Sequence, residues 1–150
     1  MTALGLGRWH RPRPVVDVRV ADAMVTCPKT HAPEAGLDEI GALFEDDHVH
    51  MALIVGAEGL LLTTIERPDL AAAAAGPAKE LGTLAGRTVH PSAALAATTA
   101  RLLASKRRRL AVVDDLGRLI GLLCLKRDGT GYCSDEGIRA RERERLALAV

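Results

Sequence analysis

The sequence predicts an α/β (α+β) fold made of two pseudo-twofold-related β-α-β-β-α units packed sheet to sheet. Three observations predict it. Residues match across a constant offset of 58: Thr30 with Thr88, Pro33 with Pro91, Ala35 with Ala93, Leu37 with Leu95, Ala42 with Ala100, Val55 with Val113, Gly59 with Gly117 and Leu61 with Leu119. No insertion is needed between Thr30 and Leu123. Within each copy a helical apolar period gives way to two short apolar runs around a turn, in the same order. Finally, 150 residues at 48% apolar content allow one substantial core and are short for two independent domains. One helix on a small sheet cannot cover both apolar faces, whereas two copies can close a shared core. Such packing leaves clefts between the copies, at the strand ends.

The elements follow in chain order. Residues 1–14 carry Gly5, Gly7, Pro12 and Pro14 and read as a loose tail. Residues 15–20 alternate towards their end as a short strand, and Ala21-Asp22-Ala23-Met24 forms a helical turn before Pro28. Leu37, Ile40 and Phe44, with Leu43 beside them, make the stripe of a helix expected over residues 34–47, its front acidic through Glu34, Asp38 and Glu39. Met51-Ala52-Leu53-Ile54-Val55, the turn Gly56-Ala57-Glu58-Gly59 and residues 60–65 read as a hairpin. Asp69 is placed to cap an alanine-rich helix over 70–75, stopped by Gly76-Pro77. The second copy gives a helix over 92–106 with Ser92 as its N-cap, a strand over 110–113, the turn Asp114-Asp115-Leu116-Gly117 and a strand over 119–125. A charged helix over 135–148 closes the chain. The expected organisation is a tail (1–14), a first domain (15–76), a second domain (77–133) and a charged C-terminal helix (134–150).

Composition weighs against several classes. Lys plus Arg number 20 against 19 Asp plus Glu, so no global field steers the chain to nucleic acid or an anionic surface. Trp9, Phe44 and Tyr132 are the only aromatics, too few for a base-stacking platform. No run has the length of a membrane span and no secretory leader is visible, so a cytoplasmic protein with reduced thiols is expected.

The pattern over residues 18–128 resembles a tandem pair of CBS domains. The resemblance rests on Ala21-Asp22-Ala23-Met24, on Thr30-x-x-Pro33, on the amphipathic helix after it, and above all on the strand–turn–strand Leu110-Ala111-Val112-Val113-Asp114-Asp115-Leu116-Gly117-Arg118-Leu119-Ile120-Gly121-Leu122-Leu123. It implies a small stand-alone regulatory module, not an enzyme, that binds an adenosine-containing ligand (AMP, ATP or S-adenosylmethionine), forms a homodimer and signals to an effector protein. In that family the adenine contacts come from the Thr-x-x-Pro segment and the strand before the hairpin. Here those are Thr30, His31 and Ala32, with Met51 and Ala52, and in the second copy Val89 and His90; Arg109, immediately before the strand over 110–113, is the residue of the basic run placed to look into a cleft. A Thr or Ser after the second strand, followed three residues on by Asp, handles phosphate and ribose. This sequence departs from that pattern. Its first copy has Glu66 and Asp69 and its second has Cys124 and Arg127, while Thr63 stands where the second copy has Gly121. Glu66 would repel a phosphate, Asp69 could still hold a ribose, and Arg127 could pair with a phosphate. If there is one site, the Asp69 side is expected to hold it. With both motifs broken, a ligand-free structural or interaction module is the alternative reading.

Other residues invite chemistry. The basic run Lys106-Arg107-Arg108-Arg109 could touch nucleic acid, though a cationic helix end is favourable in itself. His48-x-His50 with His31 and Cys27 could suggest a metal, but the spacing is common by chance and a site needs three or four converging ligands. Cys124 and Cys133 could form a redox pair, against the ordinary reading as buried thiols. No ordered Ser-His-Asp or Cys-His set is present. Metal and catalytic residues are therefore both expected to be none.

Overall fold

The computed structural model describes residues 18–72 and 76–148. The expected tail, the start of the first strand and residues 73–75 lie outside them. The elements are α1 (Val20–Ala23), α2 (Leu37–Leu43), β1 (Ala52–Val55), β2 (Leu61–Ile65), α3 (Arg67–Ala72), β3 (Thr88–Val89), α4 (Leu95–Ser105), β4 (Arg109–Val113), β5 (Leu119–Cys124) and α5 (Asp135–Leu148). Short 3-10 turns span Ala57–Gly59 and Ala78–Glu80.

The two units repeat down to their irregularities. β1 and β2 are antiparallel with Leu53 opposite Thr64, and the register slips between Ile54 and Val55. β4 and β5 pair Ala111 with Leu122 and slip at the equivalent place, between Val112 and Val113. Both turns end on a left-handed glycine, Gly59 at φ +80° and Gly117 at φ +81°, which explains why glycine is kept at both. β3 runs parallel to β4, with Val89 against Val112, and His31 makes the matching parallel bridge to Ile54.

Each unit is completed by the chain leading into the other. Arg19 bridges Ala94, and Val20 donates its N–H to the Ala93 carbonyl at 3.0 Å. At the same offset, Pro77 bridges Gly36 and Ala78 donates to Ala35 at 2.7 Å. Val20 and Ala78 are both fully buried, Val20 among Val89, Leu102 and Leu110, and Ala78 among Ile40, Ile54 and Ile65. Further along, Val25 bridges Leu122 and Thr83 bridges Thr64, so the exchange extends onto the hairpin edges.

Between the sheets lies a third core of Met51, Leu53, Leu61 and Ala111, flanked by Val55, Val113, Leu119 and Leu122. Leu53 and Ala111, Val55 and Val113, and Leu61 and Leu119 are equivalent pairs, so the pseudo-twofold axis passes through this layer. Leu60 bridges its own equivalent, Arg118. The expected sheet-to-sheet fold is the observed one.

Several boundaries differ from the sequence expectation. The first helix begins at Leu37 rather than 34, because the backbone of Ala35 and Gly36 is occupied by Pro77 and Ala78. It ends at Leu43 because the Arg67 guanidinium gathers the carbonyls of Phe44, Asp46 and Val49 at 2.6, 3.1 and 2.9 Å and sits 5.2 Å from the Phe44 ring centre. Ser92 is not the N-cap of α4; Ala94 is, since Pro91 and Ala93 receive the lead-in chain and the Ser92 hydroxyl bonds His90 at 2.6 Å. That helix stops at Ser105 on a left-handed Lys106. Asp69 lies within α3, which starts at Arg67, and its carboxylate accepts the Glu66 N–H at 2.8 Å. Val20 opens a helix instead of closing a strand.

Candidate functional site

Because the units cross, the strand ends of one copy face the lead-in loop of the other. Two clefts result, and they have become chemically different.

The first cleft has a cavity volume of about 460 Å³. That lies within the range of small-molecule sites. Its wall is apolar, built by Val25, Leu43, Val49, Met51, Leu53 and Leu122, with Cys27, Pro28 and Lys29 along one lip. His31 is held rigidly in it. Its backbone N–H donates to Leu53 and its carbonyl accepts from Val55, both at 2.9 Å, and its Nδ1 lies 3.2 Å from Glu39 Oε2. The ring is nine-tenths buried, and its Nε2 is buried with no hydrogen-bond partner among the described residues. A buried polar atom left unsatisfied costs free energy.

One end of the cleft is strongly cationic. Its cavity continues past His48, His50 and Arg109 into a space of about 260 Å³ lined by Arg108, Lys126, Arg127 and Cys133. His50 has its pKa lowered to about 4, by burial first and then by the charges of Arg109, Arg108, Arg67 and Arg127. It is therefore neutral at pH 7, and its Nε2 accepts from Arg108 at 3.3 Å. His50 and Arg108 are equivalents at the 58-residue offset, so the positive end sits on the pseudo-twofold axis.

The second cleft, about 350 Å³, is lined by Glu66, Arg67, Pro68 and residues 105–109, with His50 at its edge. Its inner part is filled from within. Arg87, 7% exposed, donates to Asp69 Oδ2 at 2.6 Å, to Asp69 Oδ1 at 3.3 Å and to the Thr64 carbonyl at 3.1 Å, and lies 3.4 Å from Glu66 Oε1. Arg107 closes the network on the other Glu66 oxygen at 2.5 Å. Burial works to raise the Asp69 carboxyl, but the Arg87 bond, the Glu66 N–H and the nearby guanidiniums hold it below the usual carboxylate range.

The sequence-derived site residues thus separate. His31, Met51 and Arg109 line the first cleft, and Arg127 lines its cationic extension. Thr30 and Ala32 are exposed beside it. Ala52 points into the first unit's core and Val89 into the second's. Cys124 is buried beneath the extension. Glu66 and Asp69 belong to the internal network of the second cleft. His90 sits on the surface between Ser92 and Asp115, at 2.6 and 2.7 Å. Sequence reasoning missed Arg87, Lys29 and the role of His50. Lys29 and Arg87 are equivalents, and the offset that aligned Thr30 with Thr88 had a readable signal for them one residue earlier. Among the described residues, no group of three or more His, Cys, Asp or Glu side chains could hold a metal, and no helix is long and apolar enough to cross a membrane.

Solved structures share this architecture. A putative acetoin utilization protein (AcuB) from Vibrio cholerae is 24% identical over 88% of this chain and 95% of its own, with a TM-score of 0.63. CBSX2, solved in complex with AMP, is 22% identical over 85% and 98%, TM-score 0.62. The CBS domain pair of protein MJ0100, in complex with 5-methylthioadenosine and S-adenosyl-L-methionine, is 19% identical over 85% and 98%, TM-score 0.58. No protein-family model and no curated protein matches the sequence. The chain has the tandem CBS-domain fold.

Proposed function

We propose that this protein is a regulatory, non-catalytic CBS pair whose first cleft binds an adenosine-containing ligand. The carrying observation is an apolar cavity that runs into a space lined by Arg108, Arg109, Lys126 and Arg127. An adenine ring suits the Val25–Met51–Leu122 wall. His31 lines the same cavity, and a phosphate would meet Arg108, Arg109 and Arg127. The neighbours solved with AMP, and with 5-methylthioadenosine and S-adenosylmethionine, support this ligand class. A ligand touching both copies biases their relative angle to the extent that it prefers one arrangement, and a homodimer or an effector protein would read that angle.

Calorimetry of the full chain with AMP, ATP and S-adenosylmethionine tests the proposal. The expected result is one equivalent bound. Arg127→Ala should weaken AMP and ATP about tenfold, the loss of one charge-assisted hydrogen bond. Asp69→Ala should leave affinity unchanged. Absence of heat at millimolar ligand would favour the second reading, a ligand-free interaction module. The second cleft supports that reading, since its inner part is filled by the chain's own ion pairs. The basic run offers less to nucleic acid than its sequence suggests, because Arg107 is paired with Glu66.

A further inference from the structure

We propose that Cys124 and Cys133 form a reversible dithiol–disulfide site that fastens the segment leading into α5 onto β5. After β5 the chain doubles back: Leu125 bridges Tyr132, Lys126 donates to Gly131 at 2.8 Å, and Cys133 donates to the Cys124 carbonyl at 2.7 Å. Cys124 and Cys133 are therefore directly opposite on an antiparallel pair and share a backbone hydrogen bond. Such positions hold their Cα atoms about 5.5 Å apart, inside the span a disulfide bridges. The two Sγ atoms already lie 2.7 Å apart. No backbone rearrangement is needed to join them.

The two thiols differ in the way a redox pair requires. Cys124 is buried, and burial, followed by the bond to Cys133, pushes its pKa up to about 12. Cys133 is only half-buried and borders the cationic extension, beside Arg108, Arg109 and Arg127. Cys133 is thus the attacking thiol and Cys124 the resolving one. With oxidised glutathione as the oxidant, the Cys133 thiolate attacks one glutathione sulfur and the glutathione S–S bond breaks, releasing one glutathione thiolate. Cys124 then gives up its proton to solvent and attacks the Cys133 sulfur, expelling the second glutathione. Two protein thiols are oxidised and one glutathione disulfide is reduced.

The bridge would act on more than its own hairpin. Asp135, two residues on, accepts both the Thr26 N–H at 2.8 Å and the Thr26 hydroxyl at 2.9 Å. It thereby ties the start of α5 to the loop of the first unit. Oxidation would anchor that tie at its base.

The test is equilibration of the full chain in glutathione redox buffers, acid quenching, alkylation and intact-mass analysis with peptide mapping. The expected product is a monomer lighter by two hydrogens, with one alkylatable thiol out of three and residues 124 and 133 cross-linked, reversed by excess glutathione. Cys27→Ser should behave the same apart from having no free thiol left. Cys124→Ser should stop at a glutathione adduct on Cys133, which reads out the assigned order of attack. Separate glutathione adducts on the unmodified chain with no 124–133 cross-link, or cross-linking only between molecules through Cys27, would overturn the proposal.

Discussion

The two clefts occupy equivalent places in the repeat and hold opposite contents. In the second, Arg87 folds inward onto Asp69 and Glu66. In the first, its equivalent Lys29 stays exposed on the lip. The cause lies in two positions after each hairpin. Glu66 and Asp69 offer carboxylates to a cation, whereas their equivalents Cys124 and Arg127 offer a thiol and a like charge. One cleft therefore closes on its own ion pairs, and the other stays open. Where a fold repeats, the site is decided by side chains that need each other across the seam.

The largest expected effect probes how the copies are fitted together. Both hairpins let another backbone come close, but they make room differently. In the second unit Gly121 is small and Met24 large: a Cβ at 121 would lie 2.6 Å from the Met24 sulfur and 2.7 Å from the Val25 carbonyl oxygen. In the first unit the sizes are reversed, with Thr63 on the strand and Gly82 opposite. A Cβ at Gly82 would fall onto the Thr64 carbonyl, at a backbone φ of +70°. Gly82→Ala should cost about 4 kcal/mol in urea unfolding. Gly121→Ala should cost about 2 kcal/mol, because Met24 can yield and the Val25 carbonyl oxygen lies 2.7 Å away, against 1.9 Å for the Thr64 carbonyl oxygen at Gly82. Equal costs would mean that the two junctions are not the mirror-sized pair described.

Next comes the ion-pair cluster. Arg87→Ala strands the Asp69 carboxylate and leaves Glu66 to Arg107 alone, and should destabilise the protein by about 3 kcal/mol at neutral pH. Because Asp69 is held below its unfolded pKa, its contribution is present above the unfolded value and is lost as pH falls through the depressed folded one. The acid limb of the stability curve should therefore flatten in Arg87→Ala. An unchanged acid limb would show that Arg87 does not hold the charge of Asp69.

The smallest effect concerns the open cleft. His50 titrates near 6.5 when unfolded and near 4 when folded, so the unfolded chain binds the extra proton first. Stability should decline gently as pH falls from about 6.5 to about 4. His50→Gln should remove that slope without changing neutral stability much. A bound phosphate, by offsetting the arginines, should also reduce it.

Much of the fold was legible because it lives in local patterns: an apolar stripe at Leu37, Ile40 and Phe44, two hairpins with glycine at matched turns, and one offset relating them. The helix starts were not legible. They depend on Ala35–Gly36 and Ala93–Ala94 being claimed by chain far away in sequence. The site was half legible. The offset located Glu66, Asp69, Cys124 and Arg127, and the broken motifs were visible as such. It gave no hint that Arg87 reaches Asp69, since an ion pair across 18 residues leaves no period. Nor did it show that Ala52 and Val89 turn their side chains into the cores, because burial on both strand faces looks alike in a short apolar run.

Val20 and Ala78 each serve as the keystone of the opposite half. Loosening either half withdraws a buried residue from its neighbour, so damage does not stay local. Heating should melt the molecule in a single step, and excising one half should leave the remainder with an exposed hydrophobic socket. A lone half-chain would regain that missing piece only by pairing with another of its kind, trading lead-in segments between two molecules as they are now traded within one.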